Sequence, residues 1–593
     1  MRQYATQATT PQPSRLHIFS SPYGVAGQAY IVNAAVQHQR SKRRVLTSIK
    51  NSFINNFPYN YPMPEKKAKF IVIAGSIMSG LGKGIATSSI AKLLQSRGYK
   101  VAPVKFDGYL NVDCGTMNPF RHGEVFVLDD GTEVDLDFGT YERFLDISLT
   151  GLCSITGGRL FKAIIEKERK GDYLGRDVQF VPHLTDEIKR RLYEVAEKTG
   201  ADIVMIEIGG TIGDLENGYF VEAMRQLNFE HNNMAFVQLT YVPSLGPGEQ
   251  KTKPTQHATR LLQSLGIQPD IILTREEEKL TAEARKKIST YCNVPEDAVF
   301  DDPLVDTVYE LPLLLEKQNL YDQLAKKLGL EKRDAELGSW KKKVENIIKP
   351  KDKPVKIAIV GKYTAVKDAY ISVKEALIHG AAANNCGLEV GWVEGSDLEK
   401  MDDVGSVLSQ YDGIVVPGGF GERGVEGKIK AIRYARENGL AFVGLCLGVQ
   451  LMVIEYARNV LGLDANSTEF DKKTPNPVID LLPEQQQISK MGGTMRLGAY
   501  ECILKKGTKA HHAYKKDNIS ERHRHRYEVN PKYVKQLEGK GLVISGVHPK
   551  NNIVEIAEWK DGFGIATQAH IELKSRLEEP APIFVEFIKA CKK

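Results

Sequence analysis

Residues 441–450 read Ala-Phe-Val-Gly-Leu-Cys-Leu-Gly-Val-Gln, which predicts a short apolar strand that turns directly into a helix. Beyond these residues, apolar side chains recur at helical spacing, at Leu451, Ile454 and Tyr456. Cys446 would then occupy a tight strand-to-helix turn, with the helix N-terminus directed at its thiol. The helix dipole and nearby amides favour the nucleophilic thiolate. A lone cysteine on an apolar strand is more commonly a buried structural residue, so a chemical role requires partners.

Two other segments supply such partners. A strand at 413–416 runs into Pro-Gly-Gly-Phe-Gly at 417–421, whose glycines let backbone N–H groups approach a developing oxyanion. Near the C-terminus, His570 and Glu572 are two residues apart. If that segment is extended, both side chains face one side, so the carboxylate can orient the imidazole while it serves Cys446. A His-x-Glu pair is common by chance, and only the combination of segments indicates a nucleophilic site.

A second chemical signal lies in the N-terminal half. Residues 70–74, Phe-Ile-Val-Ile-Ala, predict a parallel-type strand, which a glycine-rich loop with Lys83 and then an apolar-faced helix follow. This arrangement is typical of a phosphate cradle, in which loop amides meet the oxyanions and the lysine reaches the outer phosphates. The Walker pattern is not met, because Ile77 replaces its first glycine and Gly84 replaces the Ser or Thr after the lysine. A plain glycine-rich turn therefore remains the alternative.

Acidic residues accompany this loop. Asp107 follows a predicted strand at 101–105, Glu207 follows another at 203–206, and Asp137 lies between them in sequence. Carboxylates at the carboxyl ends of parallel strands beside a phosphate loop are placed to hold Mg²⁺ on a triphosphate, whereas without the loop each is an ordinary solvated acid. Strands and helices alternate in both halves of the chain, which predicts an α/β protein with two doubly wound, mostly parallel sheet domains.

Four segments are predicted. Residues 1–64 form a leader or disordered extension, 65–330 a P-loop-like α/β domain, 331–354 a charged linker and 355–593 a second α/β domain. The linker could include a short amphipathic helix around Trp340 to Ile348. The leader holds seven Lys or Arg and no acid, as organellar transit peptides do. The favoured interpretation is a disordered tail, or a stretch included because a start codon upstream of Met63 was chosen. We therefore expect a cytoplasmic protein, with organellar import as the alternative.

Composition excludes several classes of protein. The 593 residues are 42% hydrophobic, enough for several cores, and no run of about 18 apolar residues predicts a membrane span. The seven cysteines are scattered without paired spacing, which predicts a reducing compartment and no zinc site. Seven of the 80 Lys and Arg lie in residues 1–64, so the rest of the chain has 73 basic and 74 acidic residues and is nearly neutral. We therefore expect no nucleic-acid partner.

The cysteine turn, the Pro-Gly-Gly-Phe-Gly loop and the late His-x-Glu together resemble a class I glutamine amidotransferase, which releases ammonia from glutamine through a thioester. Residues 466–470 and 522–530 narrow the resemblance to the glutaminase domain of the CTP synthase family. It implies catalytic Cys446, His570 and Glu572, oxyanion donors Gly418 and Leu447, and glutamine-binding Gly419, Leu447, Gln450, Glu469 and Arg526. The family usually has proline between His and Glu where this chain has Ile571, which leaves the turn geometry open.

Residues 107–117, 122–125, 207–214 and 251–257 resemble the amidoligase domain of the same family. The resemblance implies ATP-binding Gly80, Leu81, Gly82, Lys83, Gly84, Ile85, Lys105 and Asp137, and Mg²⁺ ligands Asp137 and Glu207. It implies UTP- or CTP-binding Ser79, Asp214, Leu215, Glu216, Lys251, Thr252, Lys253, Pro254, Thr255, Gln256 and Lys287. Two lysines that bracket a Pro-Thr turn suit a triphosphate, and a solvated basic loop is the alternative. Gly108, Cys114 and Pro303 depart from the family pattern, which bears on nucleotide affinity and feedback.

The resemblance as a whole implies ATP-dependent amination of UTP at C4 to give CTP, with ammonia from glutamine passing between two sites. It also implies a passage that ends near Pro119, His122 and Val125, activation by GTP, inhibition by CTP, and homodimers that pair into homotetramers or filaments. Two alternatives are a glutamine-fed ligase with a non-nucleotide acceptor and a non-catalytic filament-forming homologue. The Lys251 to Gln256 segment argues against the first, and the intact catalytic residues argue against the second.

Overall fold

The computed structural model describes residues 68–76, 78–246, 249–481 and 495–592, which fall within one compact unit. The predicted leader and Ile77 lie outside the described residues. Among the described residues, no helix is long and apolar enough to cross a membrane.

The N-terminal half is built on a sheet of seven strands, all parallel to their neighbours. Their spatial order is Ser154–Thr156, Val101–Asp107, Ile203–Ile208, Lys69–Gly75, Met234–Tyr241, Ile271–Glu276 and Val299–Pro303. The central strands are apolar on both faces because helices cover both sides, and the cores on the two faces are separate. The helices are Lys83–Gln95, Pro119–His122, Asp137–Leu145, Gly157–Lys170, Thr185–Thr199, Gly218–His231, Lys253–Ser264, Ala282–Cys292, Leu311–Lys317 and Leu320–Leu328.

The C-terminal half is built on a nine-stranded sheet. Five strands are mutually parallel, in the order Cys386–Glu394, Asp352–Gly361, Gly413–Val416, Ala441–Leu445 and Gly564–Thr567. Four antiparallel strands extend that sheet, in the order Val554–Trp559, Leu542–Val547, Arg496–Leu504 and Asn518–His525. The helices are Ile371–Asn384, Gly395–Glu399, Gly405–Leu408, Val425–Asn438, Leu447–Asn459, Lys509–Tyr514, Pro531–Gly539 and Pro582–Cys591.

Two small sheets complete the strands, one of Phe126–Val127 with Glu133–Val134 and one of Ala465–Ser467, Asn476–Asp480 and Glu528–Val529. The predicted linker helix is present at Gly338–Ile348. Trp340 of this helix is buried, and its indole N–H donates to the carbonyl of Tyr309 at 2.8 Å. The helix that connects the two halves is therefore packed against the N-terminal half.

Candidate active site

The predicted strand-to-helix turn is present, with strand Ala441–Leu445 and helix Leu447–Asn459 on either side of Cys446. Cys446 has a φ of 52°, a left-handed conformation that a side-chain-bearing residue adopts only at a cost. Both flanking glycines are required by close approach. A Cβ on Gly444 would lie 2.8 Å from the carbonyl carbon of Gly448, and a Cβ on Gly448 would collide with the carbonyl oxygen of Val416. The turn thus holds a buried thiol at the end of the sheet.

His570 lies beside this thiol and is held by Glu572, with 2.7 Å between Nδ1 and the carboxylate oxygen. The expectation of an extended segment is wrong, because residues 571–574 form a 3₁₀ turn that folds Glu572 back under the ring. Burial lowers the pKa of His570, but Glu572 and the Cys446 thiol outweigh burial and hold that pKa well above its usual value. Ile571, at the position of the family proline, is 1% exposed and packs in the core.

The Gly418 backbone is pressed against both groups. A Cβ there would lie 2.7 Å from His570 Cε1 and 3.5 Å from Cys446 Cβ, so only glycine leaves room for a substrate oxygen. Leu447 is the first residue of the helix that follows Cys446. Its backbone N–H is therefore one of the first four, which have no acceptor within the helix. Both backbones are close to Cys446, so Gly418 and Leu447 remain the predicted oxyanion donors.

Lys362, which was not predicted from the sequence, supports the loop at 417–421. Its side chain is buried, and Nζ donates to the carbonyl oxygens of Phe420, at 2.9 Å, and Gly421. Burial lowers the pKa of Lys362 to about 8. A lysine directly after the buried strand Asp352–Gly361 is the signal that could have revealed it.

Of the predicted glutamine-binding residues, Gly419 lines the cavity beside Cys446 and Glu469 contacts the 417–421 loop. Gln450 donates to the carbonyl of Tyr527 at 2.9 Å, and Glu469 accepts the Gly421 N–H at 2.8 Å. Burial raises the pKa of Glu469. A small cavity of about 90 Å³ is lined by Cys446, Gly418, Gly419, His570 and Glu572, but not by Leu447, Gln450, Glu469 or Arg526.

The glycine-rich loop of the other half also adopts the predicted arrangement. Strand Lys69–Gly75 leads through Gly80 and Gly82, with φ of 78° and 91°, into helix Lys83–Gln95. Lys83 Nζ donates to the carbonyl of Gly210 at 2.7 Å, and burial lowers the pKa of Lys83. A cavity of about 680 Å³ opens over this loop, and of the predicted ATP residues only Leu81 is absent from its lining.

Lys105 lies at the centre of the acidic group. Its Nζ is 3.5 Å from Asp135 and 3.4 Å from Glu207, and it also pairs with Asp137. Burial lowers the pKa of Lys105, but these carboxylates outweigh burial and raise that pKa well above its usual value. Unlike Asp107 and Glu207, Asp137 is not in a strand of the sheet but is the first residue of helix Asp137–Leu145, which follows a small hairpin.

Gly84 explains the departure from the Walker pattern. A Cβ on this residue would lie 2.9 Å from Asp137 Cγ and closer still to its oxygen. A serine or threonine after the lysine would therefore occupy the space of the Asp137 carboxylate. The Asp137 carboxylate, which comes from another segment, thus lies where a Walker loop would carry its hydroxyl.

The acidic group fits a divalent cation. Glu207 is 1% exposed, and burial raises its pKa, while burial raises the pKa of Asp107 to about 7. Among the described residues no group of three or more His, Cys, Asp or Glu is arranged around a common metal position. Two protein carboxylates together with phosphate oxygens of a substrate are, however, a donor set that Mg²⁺ commonly takes.

The predicted UTP residues are only partly brought together. Ser79, Asp214 and Glu216 line the large cavity, whereas Leu215 and residues 251–256 do not. The expected Pro-Thr turn is wrong, because Lys253 begins helix Lys253–Ser264 and a proline at its second position suits a helix start. Lys287 lies on the surface, 2.6 Å from Glu283.

Three further departures from the family pattern lie among the described residues, and for Gly108 the structure gives a steric reason. A Cβ on Gly108 would lie 2.6 Å from Asn217 Oδ1 and 2.8 Å from Glu216 Cγ, so glycine lets this loop close over the strand end. Cys114 is buried, and the Tyr109 hydroxyl lies 3.4 Å from its sulfur. Pro303 is the last residue of its strand.

The two cavities meet at a common wall. Pro119 lines the small cavity and His122 lines the large one, although both belong to the same one-turn helix. In the other half, Asp368 faces the large cavity and its neighbour Ala369 faces the small one.

Comparison with known proteins identifies the family of this chain. Residues 69–330 match the family described as CTP synthase N-terminus, and residues 365–590 match glutamine amidotransferase class-I. A CTP synthase of Pyrococcus abyssi is 54% identical over 530 residues, which cover 88% of this chain and 98% of the relative. A CTP synthase of Archaeoglobus fulgidus is 52% identical over 529 residues with the same coverage. A solved glutaminase domain of Trypanosoma brucei CTPS with bound acivicin is 39% identical and covers 40% of this chain and 93% of its own, with a TM-score of 0.38.

Proposed function

As a member of the CTP synthase family, the chain is a glutamine-hydrolysing carbon–nitrogen ligase that uses ATP and UTP, and we propose that Cys446, His570 and Glu572 release its ammonia. Neither a different acceptor nor a non-catalytic role is favoured. This chain matches CTP synthases over 98% of their length, and it matches both domain families. What supports the residue roles is the contact of the buried thiol, the imidazole and the Gly418 backbone around one small cavity.

In the proposed glutaminase reaction, the Cys446 thiolate attacks the amide carbon of glutamine. The N–H groups of Gly418 and Leu447 receive the charge that develops on the oxygen. His570 gives its proton to the leaving nitrogen as the C–N bond breaks, and ammonia departs from the thioester. His570 then takes a proton from water, which attacks the thioester and returns the thiolate and glutamate. Glu572 keeps the ring oriented throughout.

In the proposed ligase reaction, the γ-phosphoryl group of ATP is transferred to O4 of UTP. Ammonia attacks C4 and phosphate leaves, which gives CTP and ADP. Lys83 and the amides of its loop would hold the phosphates and offset the charge on the transferring group. Asp137 and Glu207 would hold Mg²⁺, which when bound neutralises charge on the triphosphate.

Ammonia must cross between the cavities unprotonated to remain a nucleophile. We place its passage at the wall formed by Pro119, His122 and Val125, because members of this wall face one cavity or the other. An opening of this wall by a small movement of the helix would join the two sites while water stays excluded.

The predicted UTP and CTP residues outside the cavity have a function in this proposal only if a second copy of the chain completes the site. We therefore place residues 251–256 and Lys287 against a neighbouring subunit, in a homodimer that pairs into tetramers or filaments. CTP would inhibit by competing there for UTP, and GTP would activate glutamine hydrolysis. We propose a cytoplasmic location.

The test is a change of nitrogen source with UTP, ATP and Mg²⁺ present. In Cys446→Ala, the rate of CTP formation from glutamine should fall at least about a thousandfold, because this route needs the nucleophile. CTP formation from ammonium chloride should persist, because it does not. Cys502→Ala is the matched control, because Cys502 is a buried cysteine outside both cavities and both activities should persist. Retained glutamine use by Cys446→Ala would disprove the assignment.

A further inference from the structure

We propose that Glu142, a residue of the ligase half, is a positioning residue for the His570–Glu572 pair of the glutaminase half. The inference rests on the catalytic pair proposed above. It arises from a cluster of charges at the junction of the halves, in which Glu142, Arg522 and Arg576 are buried. The cluster lies outside the residues predicted to contact either substrate.

Glu142 lies in the middle of helix Asp137–Leu145 and is 0% exposed. One side of its carboxylate accepts the N–H of Leu149 at 2.7 Å. Arg522 donates to both carboxylate oxygens, at 2.8 and 3.0 Å, and Arg576 donates to one of them at 2.5 Å. A single carboxylate thus pairs with two buried guanidinium groups of the other half, a geometry that fixes both.

Each of these arginines also holds one end of the turn that carries the catalytic pair. The carbonyl of Arg522 accepts the backbone N–H of His570 at 2.7 Å. Arg576 Nη1 donates to the carbonyl of Leu573 at 2.9 Å, directly after Glu572. The turn from His570 to Leu573 is therefore held between two residues whose side chains both bond Glu142. Arg522 also donates to Asp129, at 2.6 Å.

Stability alone is a poor explanation for this cluster. A buried ion pair recovers little more than the desolvation of its charges, so replacing it with apolar groups is often neutral or favourable. Its geometry, by contrast, is highly restrictive, because bidentate contacts tolerate little displacement. Asp137, which is predicted to bind Mg²⁺, begins the same helix. The cluster therefore joins the nucleotide site and the imidazole through one rigid element.

Glu142→Gln tests the role, because glutamine keeps the shape but cannot pair with two cations. We expect kcat for glutamine hydrolysis to fall about tenfold to a hundredfold, as for a misplacement of under 1 Å. The KM for glutamine should stay within about twofold, since the side chains of Gln450 and Glu469 are hydrogen-bonded to Tyr527 and Gly421. CTP formation from ammonium chloride should also stay within about twofold.

Glu455→Gln is the matched control. Glu455 is likewise 0% exposed and pairs with Arg436 at 2.7 Å, but it has no contact with the turn from His570 to Leu573. It should lower the melting temperature without changing the ratio of the two nitrogen sources. If Glu142→Gln does not fold, Arg522→Lys, which keeps the charge but not the bidentate contact, should show the same ratio change.

Equal losses with both nitrogen sources, or no loss with either, would overturn the positioning role of Glu142. Cys446→Ala is measured in the same series. If Cys446→Ala still hydrolyses glutamine, the proposed nucleophile itself is wrong. If Cys446→Ala is inactive with glutamine but Glu142→Gln behaves normally, only the positioning role is refuted.

Discussion

Gly84→Ser would restore the hydroxyl that a Walker loop has after its lysine, and we expect it to damage the ligase. The new Cβ would lie 2.9 Å from Asp137 Cγ, whereas ordinary contact begins at 3.4 Å. The Asp137 carboxylate must therefore retreat by at least about 0.5 Å, which is the limit within which catalytic groups are usually held. Since Asp137 also pairs with Lys105, the movement cannot be confined to one side chain. We expect CTP formation to fall about tenfold to a hundredfold.

The assay compares CTP formation from glutamine and from ammonium chloride with glutamate release without UTP. Gly84→Ser should lower both routes to CTP equally and leave basal glutamate release unchanged, because the collision is with the end of a side chain in the ligase half only. Gly338→Ser serves as the control, since a Cβ there meets nothing within 4 Å and full activity is expected. An active Gly84→Ser enzyme would show that Asp137 need not occupy the observed position and would refute its assignment to the phosphate site.

Two further predictions concern buried charges. Lys105→Met should lower the free energy of unfolding by about 3–5 kcal/mol, because the buried Glu207 carboxylate would lose the lysine that pairs with it. Denaturant unfolding measures this, and a loss under about 1 kcal/mol would contradict it. Glu572→Gln should lower the pKa of His570, because burial would no longer be offset by the carboxylate. The stability gained from the raised pKa is fully present below about pH 6.5 and is lost as the pH rises through the folded pKa, so the difference in unfolding free energy between the two proteins should shrink with rising pH. NMR titration of the ring gives the pKa, and an unchanged value would exclude Glu572 as its cause.

The turn geometry at the catalytic pair shows where local reasoning reached its limit. The contact between His570 and Glu572 was predicted from their spacing, but through an extended segment, whereas the structure achieves it in a 3₁₀ turn. Spacing of two can bring side chains together in more than one backbone conformation. Likewise Asp137 was predicted near the phosphate loop and reaches it, but from a helix N-terminus, since no local pattern indicates which segment will pack beside Gly84.

The cysteine turn, the glycine loops and both runs of alternating strands and helices could be read from the chain alone, because apolar periodicity and glycine placement act over a few residues. The four antiparallel strands at the edge of the second sheet and the Glu142 cluster could not. Glu142 and Arg522 are 380 residues apart in sequence, and each reads locally as an ordinary surface charge. Only the packing of the two halves removes water from both side chains, and that long-range burial gives them their partners.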